Sequence, residues 1–131
     1  MANKDAPFGM KPIGKVGQNR DNQGLSEYDI AASATAIYFQ DPVTMVNTGT
    51  IGVAAAGNSL LGVLTGIFFT DASTSKPTFA NHLDASNAAT DIKGFITDDP
   101  YERFEIQSNN SGASATTDIF NVADIVYAAG S

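Results

Sequence analysis

The chain predicts a mainly β fold: a compact antiparallel β-barrel or sandwich with an extended N-terminal arm and at most one short helix near the C-terminus. Three observations lead there. Short apolar or alternating runs recur between turns rich in Gly, Pro, Asn and Asp, the pattern of strands. Apolar residues fall at helical spacing only near the end of the chain. The first 24 residues differ from the rest in both charge and composition. At 131 residues the chain is one domain large enough for a core, divided here into an arm, 1–24, and a single β-rich domain, 25–131.

The arm holds four of the seven basic residues, Lys4, Lys11, Lys15 and Arg20, against Asp5 and Asp21, a net of +2. The remainder holds three basic and twelve acidic residues, a net of −9. Phe8, Met10 and Ile13 fit no long helical period, and Pro7 and Pro12 forbid an uninterrupted helix. Fully extended, such a segment spans roughly 80 Å. A basic arm on an acidic body is suited to reach an acidic neighbour.

Past the arm, residues 26–30 place Tyr28 and Ile30 on one face and Glu27 and Asp29 on the other. Residues 36–40 set Ile37 beside Phe39 in a strand that Asp41-Pro42 interrupts. Residues 43–47 resume it, with Val43 and Met45 on one face. The runs 50–55 and 60–70 flank Ala56-Gly57-Asn58-Ser59, which reads as a hairpin turn. In the second run Leu61, Val63, Thr65, Ile67 and Phe69 alternate with Leu60, Gly62, Leu64, Gly66 and Phe68. Both faces are largely apolar, which predicts a central strand.

Residues 71–91 are polar and form the longest expected loop, anchored by Pro77-Thr78-Phe79 and Leu83. It is either a binding loop or a surface excursion. Residues 92–97 and 101–107 read as a strand pair around Asp98-Asp99-Pro100, with Glu102, Phe104 and Ile106 on one face. After a Ser/Asn/Gly/Ala/Thr stretch, Ile119, Val122, Ala123 and Val126 fall at helical spacing, with Thr116 or Thr117 as cap. A strand near 124–128 competes.

Little in the chain suggests catalysis. There is no cysteine, hence no disulfide and no thiolate chemistry, and His82 is the only histidine. Zinc-type spacing has no second ligand, and no nucleophile-elbow pattern is present. Asp98, Asp99, Glu102 and Glu105 form the densest acidic cluster, but their spacing matches no calcium loop, and a solvated turn is the reading. No lysine follows Gly49, Gly52, Gly57, Gly62 or Gly66 at phosphate-loop spacing. In a strand, Gly62 and Gly66 instead let another backbone or a bulky side chain approach.

A net charge of −7 disfavours nucleic acid and anionic membrane as partners of the body. The arm has no stacking aromatic beyond Phe8. The apolar run 60–69 is too short for a bilayer, which needs ~20 residues, and the N-terminus lacks the apolar stretch of a signal peptide. The expectation is a non-enzymatic protein with no catalytic residue, cofactor, metal or small-molecule substrate. Its contact residues would be Lys4, Phe8, Met10, Lys11, Ile13, Lys15 and Arg20.

Several stretches, taken in order, resemble the small capsid cement (decoration) proteins of tailed bacteriophages. Ala2-Asn3-Lys4-Asp5-Ala6-Pro7-Phe8-Gly9 with Lys11-Pro12 is similar to their opening. Leu61-Gly62-Val63 through Gly66 and Phe68-Phe69-Thr70-Asp71 resemble their central strand, and Lys76-Pro77-Thr78-Phe79 the loop that follows. Asp98-Asp99-Pro100 with Phe104-Glu105-Ile106-Gln107 resembles their late strand pair. Two departures stand out. Met10-Lys11 replaces the arginine-richer continuation of the family's arm, and the chain stops soon after Ala123-Asp124-Ile125-Val126.

The resemblance implies a structural virion protein on the outer surface of an icosahedral capsid. Its β body would bind the shell and its arm would run over the major capsid protein or over other copies of itself, as a dimer or trimer. The alternative is a virion-surface module that recognises a host glycan or receptor through 71–91, with Phe79 as the stacking residue and Tyr38 and Tyr101 assisting. Burying Phe8, Met10 and Ile13 contributes about 1.5–3 kcal/mol each, whereas ordering the arm costs about 1–2 kcal/mol per residue. Backbone hydrogen bonds to a sheet edge, or partial ordering, must supply the difference.

Overall fold

The computed structural model describes residues 5–17, 24–109 and 112–128. It is mainly β, with antiparallel sheets and a single 3₁₀ turn near the C-terminus. The strands are β1 (Met10–Lys15), β2 (Ser26–Asp29), β3 (Pro42–Met45), β4 (Ile51–Val53), β5 (Gly62–Thr70), β6 (Pro77–Ala80), β7 (Lys93–Thr97) and β8 (Glu102–Ile106). Six of them form one sheet in the order β2-β7-β5-β3-β4, with β6 added to β5. The other two, β1 and β8, form a separate ribbon that packs on β5 through β1.

β5 is the central strand that its two-sided apolar pattern predicts. β7 occupies one edge from Val63 to Phe68. The other edge is divided between β3, at Gly62 and Val63, and β6, from Ile67 to Thr70. A register shift between Leu64 and Gly66 inserts Thr65 as an extra residue. The bulge breaks the simple alternation of the sequence: Leu64 and Ile67, an odd number of residues apart, join one core cluster. Ile30, Ile37, Val43, Ile51, Leu83, Ile92 and Ile96 complete the aliphatic part of that cluster. Ile30, just after β2, bridges Ile51 at the start of β4, so the curled sheet brings its two end strands together at one point.

Gly62 shows why β5 needs a glycine. A Cβ there would overlap the carbonyl oxygen of Thr97 and lie 2.9 Å from Ile96 Cγ2. At Gly66 the nearest atom, the Ala80 carbonyl oxygen, would be at an ordinary 3.5 Å.

The structure corrects several local expectations. Residues 36–40 are not a strand. Ile37 makes a single two-way bridge with Leu83, and the chain then turns through Gln40 at φ 66°. Runs 50–55 and 60–70 are not hairpin partners, although Gly57 (φ 82°) does turn the chain. β3 lies between them: Ala54 N–H donates to the Pro42 carbonyl and Leu61 N–H to the Val43 carbonyl. The hairpin is instead β3–β4, closed around Gly49 at φ 84°. Met45, at the end of β3, is exposed although Val43 is buried.

Nor do β7 and β8 pair. β7 lies between β2 and β5, while β8 pairs with β1. The expected long loop 71–91 contains β6, which a tight turn holds against β5. In that turn the Asp71 carboxylate accepts the Ser73 hydroxyl and the Ser73 and Thr74 amides, which lower its pKa to about 2. At the C-terminus only Thr116–Asp118 forms a 3₁₀ turn, with Ala115 rather than a threonine at its cap. Residues 119–128 are neither the helix nor the strand that their spacing allowed.

The close approach at Gly62 yields the first test. Gly62→Ala should destabilise the chain by ~1–3 kcal/mol or more, because two backbone segments must move apart. Gly66→Ala should cost ~1 kcal/mol or less. Paired urea melts check this, and equal midpoints for the two variants would contradict the packing described.

Candidate functional site

Residues 5–9 run along the body before β1 begins, and two devices fix their path. The Gln107 side chain accepts the Ala6 amide through Oε1 (3.2 Å) and donates through Nε2 to Asp5 Oδ1 (2.9 Å). Met10 N–H then donates to the Gln40 carbonyl at 2.9 Å. Gly9 makes that approach possible: its φ is 80°, and a Cβ there would lie 2.5 Å from the Gln40 oxygen. Successive N–H groups point to opposite edges of a strand. With Met10 N–H directed at Gln40, the ring nitrogen of Pro12 faces the same outer edge, so proline removes no ladder bond to β8.

β1 then pairs with β8, from Met10 opposite Ile106 to Lys15 opposite Glu102. A register shift between Pro12 and Gly14 leaves Ile13 as the extra residue, 53% exposed. Lys11 is also exposed, opposite Glu105.

The ribbon joins the sheet at the β7–β8 turn. Asp98 accepts hydrogen bonds from Ser26 Oγ (2.8 Å) and Tyr28 Oη (2.6 Å), tying the turn to β2. Asp99 pairs with Lys15 at 3.0 Å, tying it to β1. The acidic cluster read as a solvated turn is therefore a structural junction. Donating to a carboxylate, with some burial, raises the Tyr28 phenol above its ordinary pKa.

Between arm, body and tail lies a groove of about 550 Å³. Its walls are Phe8 and Met10 from the arm, Pro42 beside the 38–41 turn, Ile106 and Gln107 at the end of β8, and Val126 and Tyr127 from the tail. Tyr127 Oη donates to Asp41 Oδ2 at 3.0 Å, and the same oxygen accepts the Tyr38 amide at 2.9 Å. The nearly buried Asp41 thus fastens the tail to the body. Ahead of that tether, Ile119, Phe120 and Val122 are exposed, the last two fully.

The sequence-predicted contact residues divide into four groups. Phe8 and Met10 share the groove, whereas Lys11 and Ile13 lie exposed on the ribbon. Lys15 is held in its ion pair with a side chain only 10% exposed. Lys4 and Arg20 lie outside the described residues. Sequence reasoning missed the groove partners Tyr38, Asp41, Gln107 and Tyr127, because they come from three separate segments. It also missed the exposed tail, because the apolar spacing there imitates a helix.

Two further clusters of polar side chains lie on the body. His82 contacts Asn81 and Asp84 and stacks on Tyr38 with ring centroids 6.1 Å apart. Lys93 pairs with Asp29, and its ammonium is held above its ordinary pKa chiefly by that contact. Among the described residues no three His, Cys, Asp or Glu side chains group as a metal site. Phe79 is 74% exposed and packs on Phe68 at a centroid distance of 4.8 Å. No protein-family model matches the chain, and no curated protein or solved structure does.

The Tyr28–Asp98 bond predicts a pH response. A phenol whose folded pKa is raised keeps its proton when the unfolded chain has lost it, above about pH 10. Its stabilising contribution is full below that pH and disappears as pH rises through the folded value. Lys93, also raised, acts in the same direction. Melting temperature should therefore fall on the alkaline side, and less steeply in Tyr28→Phe. Parallel alkaline slopes in the two proteins would show that Tyr28 carries none of the effect.

Proposed function

We propose that this protein is a non-enzymatic capsid cement subunit that binds the outside of an icosahedral shell and stabilises it. The observation that carries the reading is the placement of the free apolar and basic groups. Lys11 and Ile13 stand exposed on the ribbon, Phe8 lines the groove at 41% exposure, and the tail presents Phe120 and Val122. Several charged groups of the body form internal ties instead, Asp98 with Ser26 and Tyr28, Asp99 with Lys15, and Lys93 with Asp29. Such a distribution suits a subunit that holds a neighbour rather than one that turns over a substrate.

The ordered resemblance of Pro7-Phe8-Gly9, the β5 region and the β7–β8 turn to cement proteins supports the same reading. The Pro-Phe-Gly element has a physical role here, since Gly9 is the only residue type that fits against Gln40 without strain. The partner is the major capsid protein. Binding the assembled shell better than its free subunits stabilises the shell by linkage, by ~2.7 kcal/mol per site at a hundredfold excess over the dissociation constant. Multiplied over many sites, this opposes the internal pressure of packaged DNA. An alternative, a host-glycan module, draws support from the exposed Phe79, which packs at a tilt on Phe68. Loss of saturable sugar binding on Phe79→Ala would identify it.

Point variants test the leading reading better than removal of the arm, which would strip β8 of its partner strand. With undecorated heads of the parent virus, wild-type protein should bind saturably and raise the capsid melting temperature. Ile13→Asp and Lys11→Gln should weaken binding ~10-fold or more, leaving the melting temperature of the free protein nearly unchanged. Capsid binding by both variants at the wild-type level would remove the arm from the contact. Absence of wild-type binding would overturn the cement reading.

A further inference from the structure

We infer that the outer face of the six-stranded sheet is a docking surface for a basic, arginine-bearing segment of a partner protein. The register places its residues. Asp29 lies opposite Lys93, Lys93 opposite Phe68, and Phe68 opposite Phe79, so one row crosses four strands from β2 to β6. In a second row Glu27 lies opposite Phe95, and Phe95 opposite Gly66. Cross-strand partners share a face. The core lies on the other face: a Cβ on Gly94, between Lys93 and Phe95, would meet Ile30 and Ile51. At the far end of the outer face the ribbon packs over β5, and Val63 and Thr97 are buried. The two rows remain open.

Two features of the open part point to a cation. The first is aromatic. Phe79 is largely exposed on an edge strand and packs at a tilt on Phe68, while Phe68 and Phe95 are half-buried. A ring face attracts a cation, and the weakly hydrated, planar guanidinium of arginine stacks there better than an ammonium. The second feature is charge. Glu27, Asp29 and Asp91 surround Lys93, whose ammonium is raised first by its contact with Asp29 and then by the other two. Three carboxylates around one ammonium leave a net of −2. Lys76 lies in the β5–β6 turn, outside both rows.

Rings and carboxylates are also adjacent. Glu27 stands directly across from Phe95. Asp91 accepts the Thr70 amide at 3.0 Å and the Thr70 hydroxyl at 2.7 Å, which fixes it near the Phe68 end of the first row. A guanidinium over either ring therefore has an acid within reach. Gly66 adds room, because it leaves a floor without a side chain two residues from Phe68 and across from Phe95. A Cβ there would meet its neighbours only at ordinary distances, so packing within the chain does not demand glycine. An incoming side chain gains from the space. The inference does not depend on the capsid reading, and it differs from the glycan alternative in the ligand that these rings receive.

A nuclear magnetic resonance titration of the isotope-labelled free protein tests it. The probe is a capped pentapeptide with arginine at its second and fourth positions, taken to millimolar concentration. Amide signals around Phe68, Phe79 and Lys93 should shift saturably, and added salt should weaken binding. The same peptide with lysine should bind more weakly, and with glutamate not at all. Phe79→Ala should raise the dissociation constant at least ~5-fold and Glu27→Gln about 2-fold, with the spectrum of each variant showing that it is folded. Absence of shifts at this face would overturn the inference, as would equal binding of the glutamate peptide or indifference to Phe79→Ala. Saturable shifts at this face with methyl glycosides, and none with the arginine peptide, would assign it to a glycan and overturn the inference as well.

Discussion

Three consecutive residues, Thr97, Asp98 and Asp99, set the relation between the two sheets. The Thr97 carbonyl lies against Gly62 with no room for a side chain, which locks the end of β7 to the start of β5. Asp98 holds β2 through Ser26 and Tyr28, and Asp99 holds β1 through Lys15. At this point the chain leaves the six-stranded sheet and begins the ribbon. The ribbon pairs only with itself, so its position depends on this turn and on the packing of β1 over β5. Loss of the Asp99 carboxylate would leave the core strands paired and remove one tie on β1, with the Met10–Gln40 bond remaining.

That dependence explains how a proline- and glycine-rich segment becomes ordered. Three apolar anchors offset little of an ordering cost of about 1–2 kcal/mol per residue. Pairing with β8, the Met10–Gln40 bond and the Gln107 clasp supply backbone hydrogen bonds within the chain. The arm is therefore two things in sequence: residues 10–15 are a strand of the fold, and residues 5–9 are a clasped lead into it. Few of its side chains need to serve the core, which leaves Ile13 and Lys11 free at the surface.

What the sequence revealed follows its period. Alternation identified β2, β5, β7 and β8 as strands because local side-chain spacing decides that property. It did not identify their partners. The runs on either side of Gly57-Asn58 looked like a hairpin, yet β3 intervenes, since a turn fixes a change of direction and not which edge the next strand joins. Thr65 defeated the face assignment in β5, because one inserted residue exchanges inside and outside for everything beyond it. Ile119, Val122, Ala123 and Val126 imitate an amphipathic helix, but there is no core surface for such a helix to cover, and short helices without burial do not persist in water. Of the groove, only Phe8 and Met10 were legible. Tyr38, Asp41, Gln107 and Tyr127 carry no shared signal along the chain and meet only through the fold.

The two terminal segments share a design that bears on affinity. Each is tied to the body near a few polar side chains, Gln107 for the arm and Asp41 for the tail, and each presents apolar groups beyond the tie. A segment that is already ordered does not lose its backbone entropy again on docking. For the six residues of β1 that saving is about 6–12 kcal/mol relative to a free strand. Interfaces of equal area differ widely in affinity for this reason, and preorganised ends let a small chain bind firmly through few side chains. On the reading proposed above, the body serves to keep its two ends in the conformations in which they hold a neighbour.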